Sequence, residues 1–294
     1  MRVLLTGSTG RLGGAFLSLW GKQEGVEVIA PGREQADLSD PEGLRAYLRA
    51  IDFDVLVNAA AITDLEQCPK DPELTRRVNA ESPRVMAEVC REKGVRRTRL
   101  VHFSTDYVFS GEQSGMKTEE DATGPVNIYG KTKEAGERAV LEADESALVC
   151  RVSWLFGPTP AGRPYHFDNV LTRAEAGELQ HLIADKFAMP TYTHDIVSWV
   201  ELLLQAQSSG IYHLCNSGEP ESWFSYAQKV CELARRAGYA VDAGKLVATS
   251  IEDAVFFSEE RPVHTAMSPA RLVREGIATP RDWLEAAEVY LKIR

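Results

Sequence analysis

Tyr129 and Lys133, four residues apart in NIYGKTKEAGE, are the side chains of this sequence best suited to proton transfer. On a helix both leave the same face and can serve one site. A free phenol titrates near pH ~10, and a neighbouring ammonium favours the phenolate and lowers that value. A YxxxK pair by itself is more often part of an ordinary amphipathic helix, so it needs support from elsewhere in the chain. Thr105 gives part of that support. It follows the apolar run 100–104 in HFSTDYVFSG, where its hydroxyl is placed to donate a hydrogen bond to a substrate carbonyl. The loop Gly7-Ser8-Thr9-Gly10-Arg11-Leu12-Gly13 gives the rest. A GxxGxxG between a strand and a helix lets the backbone approach a pyrophosphate, and the helix N-terminus favours its charge.

These residues need a scaffold that brings them to one edge. Apolar runs at 2–6, 26–30, 54–58, 100–104 and 148–152 alternate with helix-like segments at 13–20, 41–50, 82–93 and 129–141. The runs show little polar alternation, as expected of parallel strands covered on both faces. In such a sheet, ligands bind beyond the carboxyl ends of the strands. After Trp154 the Gly/Pro-rich FGPTPAGRP ends the regular pattern, and a mixed region follows with a helix at 195–205, a strand at 211–215 and a helix at 223–236. The expected fold is therefore α/β: a Rossmann-type doubly wound parallel sheet with a smaller, mixed α/β C-terminal substrate region. The expected division is a dinucleotide domain at 1–155 and a substrate region at 156–294, with 190–217 returning to the first.

The second strand should end beside the adenosine ribose, where NAD-preferring proteins usually offer an acidic side chain. Here Arg33 stands instead, read either as a partner for a 2′-phosphate or as a solvated turn residue. Asp37 and Leu38 are candidates to cradle the adenine. The small residues Ala59, Ala60 and Ala61, followed by Thr63, would let a cofactor lie close to the backbone.

Composition narrows the function classes. The chain has 294 residues, with 33 basic and 43 acidic side chains and a formal net charge of −10, which argues against nucleic acid or an anionic membrane as the main partner. Cys68, Cys90, Cys150, Cys215 and Cys231 are dispersed and form no CxxC, so neither a disulfide framework nor a zinc site is expected, and a reducing cytoplasm fits best. No signal peptide or membrane-spanning run is visible. The histidines show no HxxxH spacing and no metal is expected; His166 and Asp168, in the Gly/Pro-rich exit segment, could approach substrate but read more readily as surface-loop residues, and the aromatics of WFSYAQKVCELARRA read as core.

The segments GSTGRLG, VNAAAITDLEQC, RRVNAESP, HFSTDYVFSGE, NIYGKTKEAGE, RVSWLFG, DKFAMPT and ERPVHTAMS together resemble the extended short-chain dehydrogenase/reductases, and within them the dTDP-4-dehydrorhamnose reductase family. The resemblance implies reduction of the 4-keto group of a nucleotide-linked 6-deoxyhexose by NADPH or NADH, with NADPH slightly favoured through Arg33. It implies Tyr129 as proton donor, Lys133 and Thr105 as supporting groups, Tyr107 and Trp154 along the sugar, and Arg261 near the nucleotide. Lys133 would also hold the nicotinamide ribose. A nucleotide sugar is the expected partner, and a homodimer stays open. The sequence departs from the family pattern at Lys186 and Ala188, where glutamine and glycine are usual, so Lys186 is a candidate contact to a different sugar substituent or to the diphosphate, or else a solvated loop residue.

Three alternatives belong to the same reading. A dehydratase needs a carboxylate where this chain has Tyr107. An epimerase is disfavoured by the resemblance alone. A non-catalytic NADP-binding regulatory protein, resembling the methionine adenosyltransferase regulatory subunit, is separated from an enzyme by turnover.

Overall fold

The computed structural model describes residues 1–94, 98–159, 165–254 and 257–294. Residues 160–164 of the Gly/Pro-rich segment therefore lie outside the described residues. The first half alternates as expected: β1 (Arg2–Thr6), α1 (Arg11–Trp20), β2 (Glu27–Ile29), α2 (Pro41–Ala50) and β3 (Val55–Asn58). Then come α3 (Pro72–Arg76), a wider π turn (Arg77–Glu81) and α4 (Ser82–Lys93), followed by β4 (Arg99–Thr105), α5 (Ile128–Ala143) and β5 (Leu148–Val152). Local chemistry sets the helix starts. Asp40 caps α2 by accepting from the Gly43 amide at 3.1 Å, with Pro41 in the first turn, and Asn127 caps α5 by accepting from the Gly130 amide at 2.9 Å.

The second half contains β6 (Leu155–Phe156), α6 (His166–Glu175), β7 (Gln180–Ile183), β8 (Phe187–Ala188), β9 (Thr191–Tyr192), α7 (Thr193–Gln205) and β10 (Gly210–His213). It closes with β11 (Glu221–Ser222), α8 (Trp223–Arg236), β12 (Leu246–Thr249), α9 (Ala270–Arg274) and α10 (Trp283–Leu291).

Six parallel strands form one sheet in the order β10-β5-β4-β3-β1-β2. The register sets Leu5 beside Val57, Val57 beside Val101 and Phe103 beside Cys150. Successive side chains point to opposite faces, so Val3 and Leu5 pack with Phe16 and Val200 on one side, while Leu4 packs with Leu44 and Val89 on the other. That two-sided burial explains the unbroken apolar strands. The chain order reverses between β1 and β3, the switch point at which open α/β sheets form a ligand crevice.

The remaining strands make two-stranded pairs: β6 with β9, β7 with β12, and β8 with β11. A third core cluster gathers around them, including Phe156, Phe167, Met189, Tyr226, Val230 and Trp283.

Candidate active site

A groove of about 440 Å³ opens at the switch point, lined by Thr6 to Thr9, Pro31 to Arg33, Asp37, Leu38 and Ala60 to Ile62. Gly7 adopts a φ of 73°, and a Cβ there would lie 2.7 Å from the Ala59 carbonyl, so only glycine suits the turn. Gly10 precedes α1, whose first turn has neither a capping side chain nor an acidic residue among those described. Its amides are thus available to an anion. Asn79, within the π turn, accepts from the Ile62 amide and donates to the Ile62 carbonyl, both at 2.9 Å, which fixes the lip of the groove. This cradle fits the pyrophosphate and adenosine of a dinucleotide.

Arg33 stands at the rim with its side chain 77% exposed, 3.5 Å from the Asp37 carboxylate. Asp37 accepts from the Ser39 amide and hydroxyl, which hold its pKa below the usual range, and Arg33 adds to that effect. The rim therefore carries a basic and an acidic side chain together. Four other candidates lie elsewhere. Leu12 and Ala59 pack into or against the core on one sheet face, and Thr63 lines a neighbouring cavity. Arg11 starts α1, but its guanidinium turns from the groove to the Leu155 carbonyl at 2.9 Å and to Asp168 at 3.1 Å. It braces the structure where the sequence reading expected a cofactor contact.

The neighbouring cavity, about 360 Å³, lies beyond the ends of β4 and β5 and brings together Thr105, Tyr107, Tyr129 and Trp154. Thr105 ends β4; its hydroxyl accepts from the Tyr107 amide and donates to Asp106, each at 3.2 Å. Tyr129 stands in the first turn of α5, with its ring 5.7 Å from that of Tyr107. The next residue permits this approach, since a Cβ on Gly130 would sit 2.3 Å from the Tyr107 carbonyl oxygen. Trp154 holds a φ of 38°, sparsely populated for a non-glycine residue, and such strain costs on the order of 1–3 kcal/mol.

The electrostatics correct one expectation. Burial, opposed by a hydrogen bond with Thr105, pushes the Tyr129 phenol above its ordinary pKa; a lowering by Lys133 does not govern it. The phenol is thus neutral, the form a proton donor requires. Lys133 is buried beneath it and donates to the Phe103 carbonyl at 2.6 Å. Burial lowers its pKa to about 8, against the opposing charge of Glu137.

Lys186 is fully buried, which excludes the solvated reading. Its ammonium lies 4.9 Å from the Tyr107 ring centroid and 5.9 Å from that of Trp154, with no hydrogen-bond partner among the described residues. Its charge acts on buried Asp106, lowering a carboxyl pKa that burial raises, while Thr265 donates to the same carboxylate at 2.5 Å. Lys186 thus stands behind the aromatic wall of the cavity. Arg261 is outside the cavity lining, 3.3 Å from Glu66 and with its guanidinium 3.8 Å from the Phe257 ring centroid.

Sequence reasoning missed part of the wall. His166 and Asp168 lie in α6, not in a surface loop. His166 lines the cavity, stacked on Tyr226 at 5.5 Å, and burial lowers its pKa to about 4. Trp223 and Tyr226, three apart on α8, face the same space; their helical spacing was the available signal. Among the described residues no cluster of His, Cys, Asp and Glu could hold a metal ion, and no helix is long and apolar enough to cross a membrane.

With its geometry set out, the chain can be compared with known proteins. Residues 1–293 match the family described as the RmlD substrate binding domain. A relative from Streptomyces antibioticus, named probable dTDP-4,6-dihydroxy-2-methyloxan-3-one 4-ketoreductase, is 34% identical over 97% of this chain and 93% of its own. The dTDP-4-dehydrorhamnose reductase of Escherichia coli strain K12 is 35% identical over 84% of this chain and 82% of that enzyme. The crystal structure of dTDP-4-dehydrorhamnose reductase from Bacillus anthracis in complex with NADP is similar at a TM-score of 0.89 and 26% identity, covering 100% of this chain and 99% of that one.

Proposed function

The chain belongs to the RmlD substrate-binding-domain family, and from that premise we propose that it is an oxidoreductase reducing the 4-keto group of a dTDP-linked 6-deoxyhexose with NADPH or NADH. The observation that carries this reading is the cavity shared by Thr105 and Tyr129, whose lining takes up the chain at Thr63 directly after Ala60 to Ile62 line the glycine-loop groove.

The dinucleotide would be held by the backbone of Gly7 to Gly10, by Ala60 and Ala61, and by Arg33, Asp37 and Leu38 at the adenosine end. When bound, its nicotinamide supplies a hydride to the carbonyl carbon. Tyr129 donates its phenolic proton to the carbonyl oxygen, which becomes the hydroxyl. Thr105 keeps its oxygen on the Tyr107 amide and turns its hydrogen from Asp106 to the same carbonyl. Lys133 stabilises the phenolate left behind and is assigned to the nicotinamide ribose. Positioning and charge stabilisation then act together.

Tyr107 and Trp154 are assigned to the sugar and Arg261 to the nucleotide end. Lys186 is assigned to substrate scope through the two rings in front of it. Residues 1–155 are assigned to the dinucleotide and 156–294 to the substrate, with 190–217 returning to the first. Five free, buried cysteines support a reducing, cytoplasmic setting. A homodimer belongs to the same reading, with sedimentation as its test.

The deciding experiment is a panel of dTDP-linked 4-keto-6-deoxyhexoses, followed by nicotinamide oxidation and product stereochemistry, in wild type and Lys186→Gln. The reading expects turnover of the rhamnose precursor or a close analogue, with preference changed in the variant. Inactivity on every member would overturn the reductase assignment; an unchanged preference would remove Lys186 from substrate selection.

A further inference from the structure

A buried chain of polar side chains runs from the floor of the dinucleotide groove to Lys133, and its donors and acceptors can be assigned in order. Asn58 ends β3, and its Oδ1 accepts from the Thr6 hydroxyl at 2.7 Å and from the Ala60 backbone amide at 3.3 Å. A backbone amide only donates, so the amide oxygen must face it and the nitrogen must face the other way. On that side Asn58 Nδ2 lies 3.0 Å from His102 Nδ1. A carboxamide nitrogen also only donates, which makes Nδ1 an acceptor and leaves the hydrogen of the neutral ring on Nε2.

His102 Nε2 lies 3.5 Å from Lys133 Nζ. A ring N–H thus faces an ammonium, donor to donor. The charged lysine gains nothing from His102 and donates to the Phe103 carbonyl instead. The neutral amine, by contrast, has a lone pair that Nε2–H can bond. Glu137, one turn further along α5, acts in the opposite sense by favouring the ammonium, and is itself held by Arg151 through bonds of 2.9 and 2.7 Å. Tyr129 stands one turn before Lys133 on the same helix. Burial lowers the pKa of His102, and among the described residues the charge that adds to this effect is that of Lys133.

We propose that His102, locked by Asn58 in the tautomer carrying hydrogen on Nε2, is a positioning residue that holds down the proton affinity of Lys133 and leaves its ammonium without a partner in the histidine ring. The ammonium is then free to serve the phenolate formed on Tyr129. This deepens the reductase reading and rests on it for its catalytic meaning, but its test needs neither cofactor nor substrate.

Ring ¹⁵N shifts of histidine-labelled protein report the tautomer, and ¹³Cε shifts of labelled lysine report the titration of Lys133. The expected tautomer is Nε2–H. Asn58→Asp places a carboxylate against Nδ1, draws the hydrogen there and turns Nε2 into an acceptor for the ammonium. The Lys133 midpoint should then rise by about one pH unit, tenfold in proton affinity. The double variant Asn58→Asp, His102→Phe keeps the carboxylate but loses the ring nitrogens, and should show a clearly smaller rise. Hydrogen on Nδ1 in wild type overturns the proposal, as does an equal rise in the single and double variants. If the variants do not fold, the wild-type tautomer alone decides. A correct tautomer and titration in a protein that reduces no sugar would overturn the reductase reading and leave the coupling intact.

Discussion

Arg11 and Asp168, 157 positions apart in sequence, meet at 3.1 Å and join the helix that follows the glycine loop to the helix that opens the C-terminal region. Neither partner is isolated. Arg11 also donates to the Leu155 carbonyl and lies under the Tyr165 ring, while Asp168 accepts from the Tyr290 hydroxyl at 2.7 Å. Burial lowers the pKa of Arg11 and the charge of Asp168 raises it. The pair therefore couples the dinucleotide groove to the cavity wall that carries His166.

Removing one partner leaves a buried charge unpaired, which typically costs about 3–5 kcal/mol. Asp168→Asn should lower unfolding stability toward that range, measured by denaturant titration at neutral pH. The double variant Arg11→Met, Asp168→Leu should recover part of the loss, because an apolar pair carries no desolvation penalty, while the Tyr290 hydroxyl and the Leu155 carbonyl lose their partners. A loss below about 1 kcal/mol in the single variant would place the pair with exposed ion pairs.

This bridge marks the boundary of what was legible in the sequence. The parallel sheet could be read because each apolar run is local, and the glycine loop because Gly7, Gly10 and Gly13 follow β1 directly. Thr105 and Tyr129 share a cavity as their places at a strand end and a helix start imply, and Tyr107 joins them as the resemblance implied. The contacts of Arg11 could not be read, since its partners come from distant segments and its own position suggested a phosphate. Lys186 was equally opaque: a loop lysine is usually solvated, and its burial depends on the folding of residues 185–190 beneath Tyr107 and Trp154. His166 follows a Gly/Pro-rich stretch, so local composition suggested surface where packing against Tyr226 makes wall.

Lys133 should weigh against stability while serving the site. Its folded pKa of about 8 lies below the ordinary 10.5, so between those values the unfolded chain holds more protons and stability rises with pH. Below that window the cost is fully present, about 3 kcal/mol as an upper figure. Lys133→Met should therefore raise the unfolding temperature at pH 7 while losing turnover, and the gain should shrink as pH rises through the window. A loss of stability at pH 7 would show that the bond to Phe103 outweighs the cost of burial.

Arg33 should bias cofactor choice modestly, because it is exposed and shares the rim with Asp37. Arg33→Ala should lower the ratio of kcat/KM for NADPH over NADH by up to about fivefold, the worth of an exposed ion pair of about 1 kcal/mol. An unchanged ratio would make Arg33 a solvated residue and leave ribose selection to Asp37.

The central claim is that Tyr129 is the proton donor, and single-turnover reduction of the keto sugar by Tyr129→Phe tests it most directly. General acid catalysis is typically worth about 10²–10⁴-fold, so the rate should fall by that factor while dinucleotide binding, followed by fluorescence, stays close to wild type. A rate near wild type with binding intact would contradict the account.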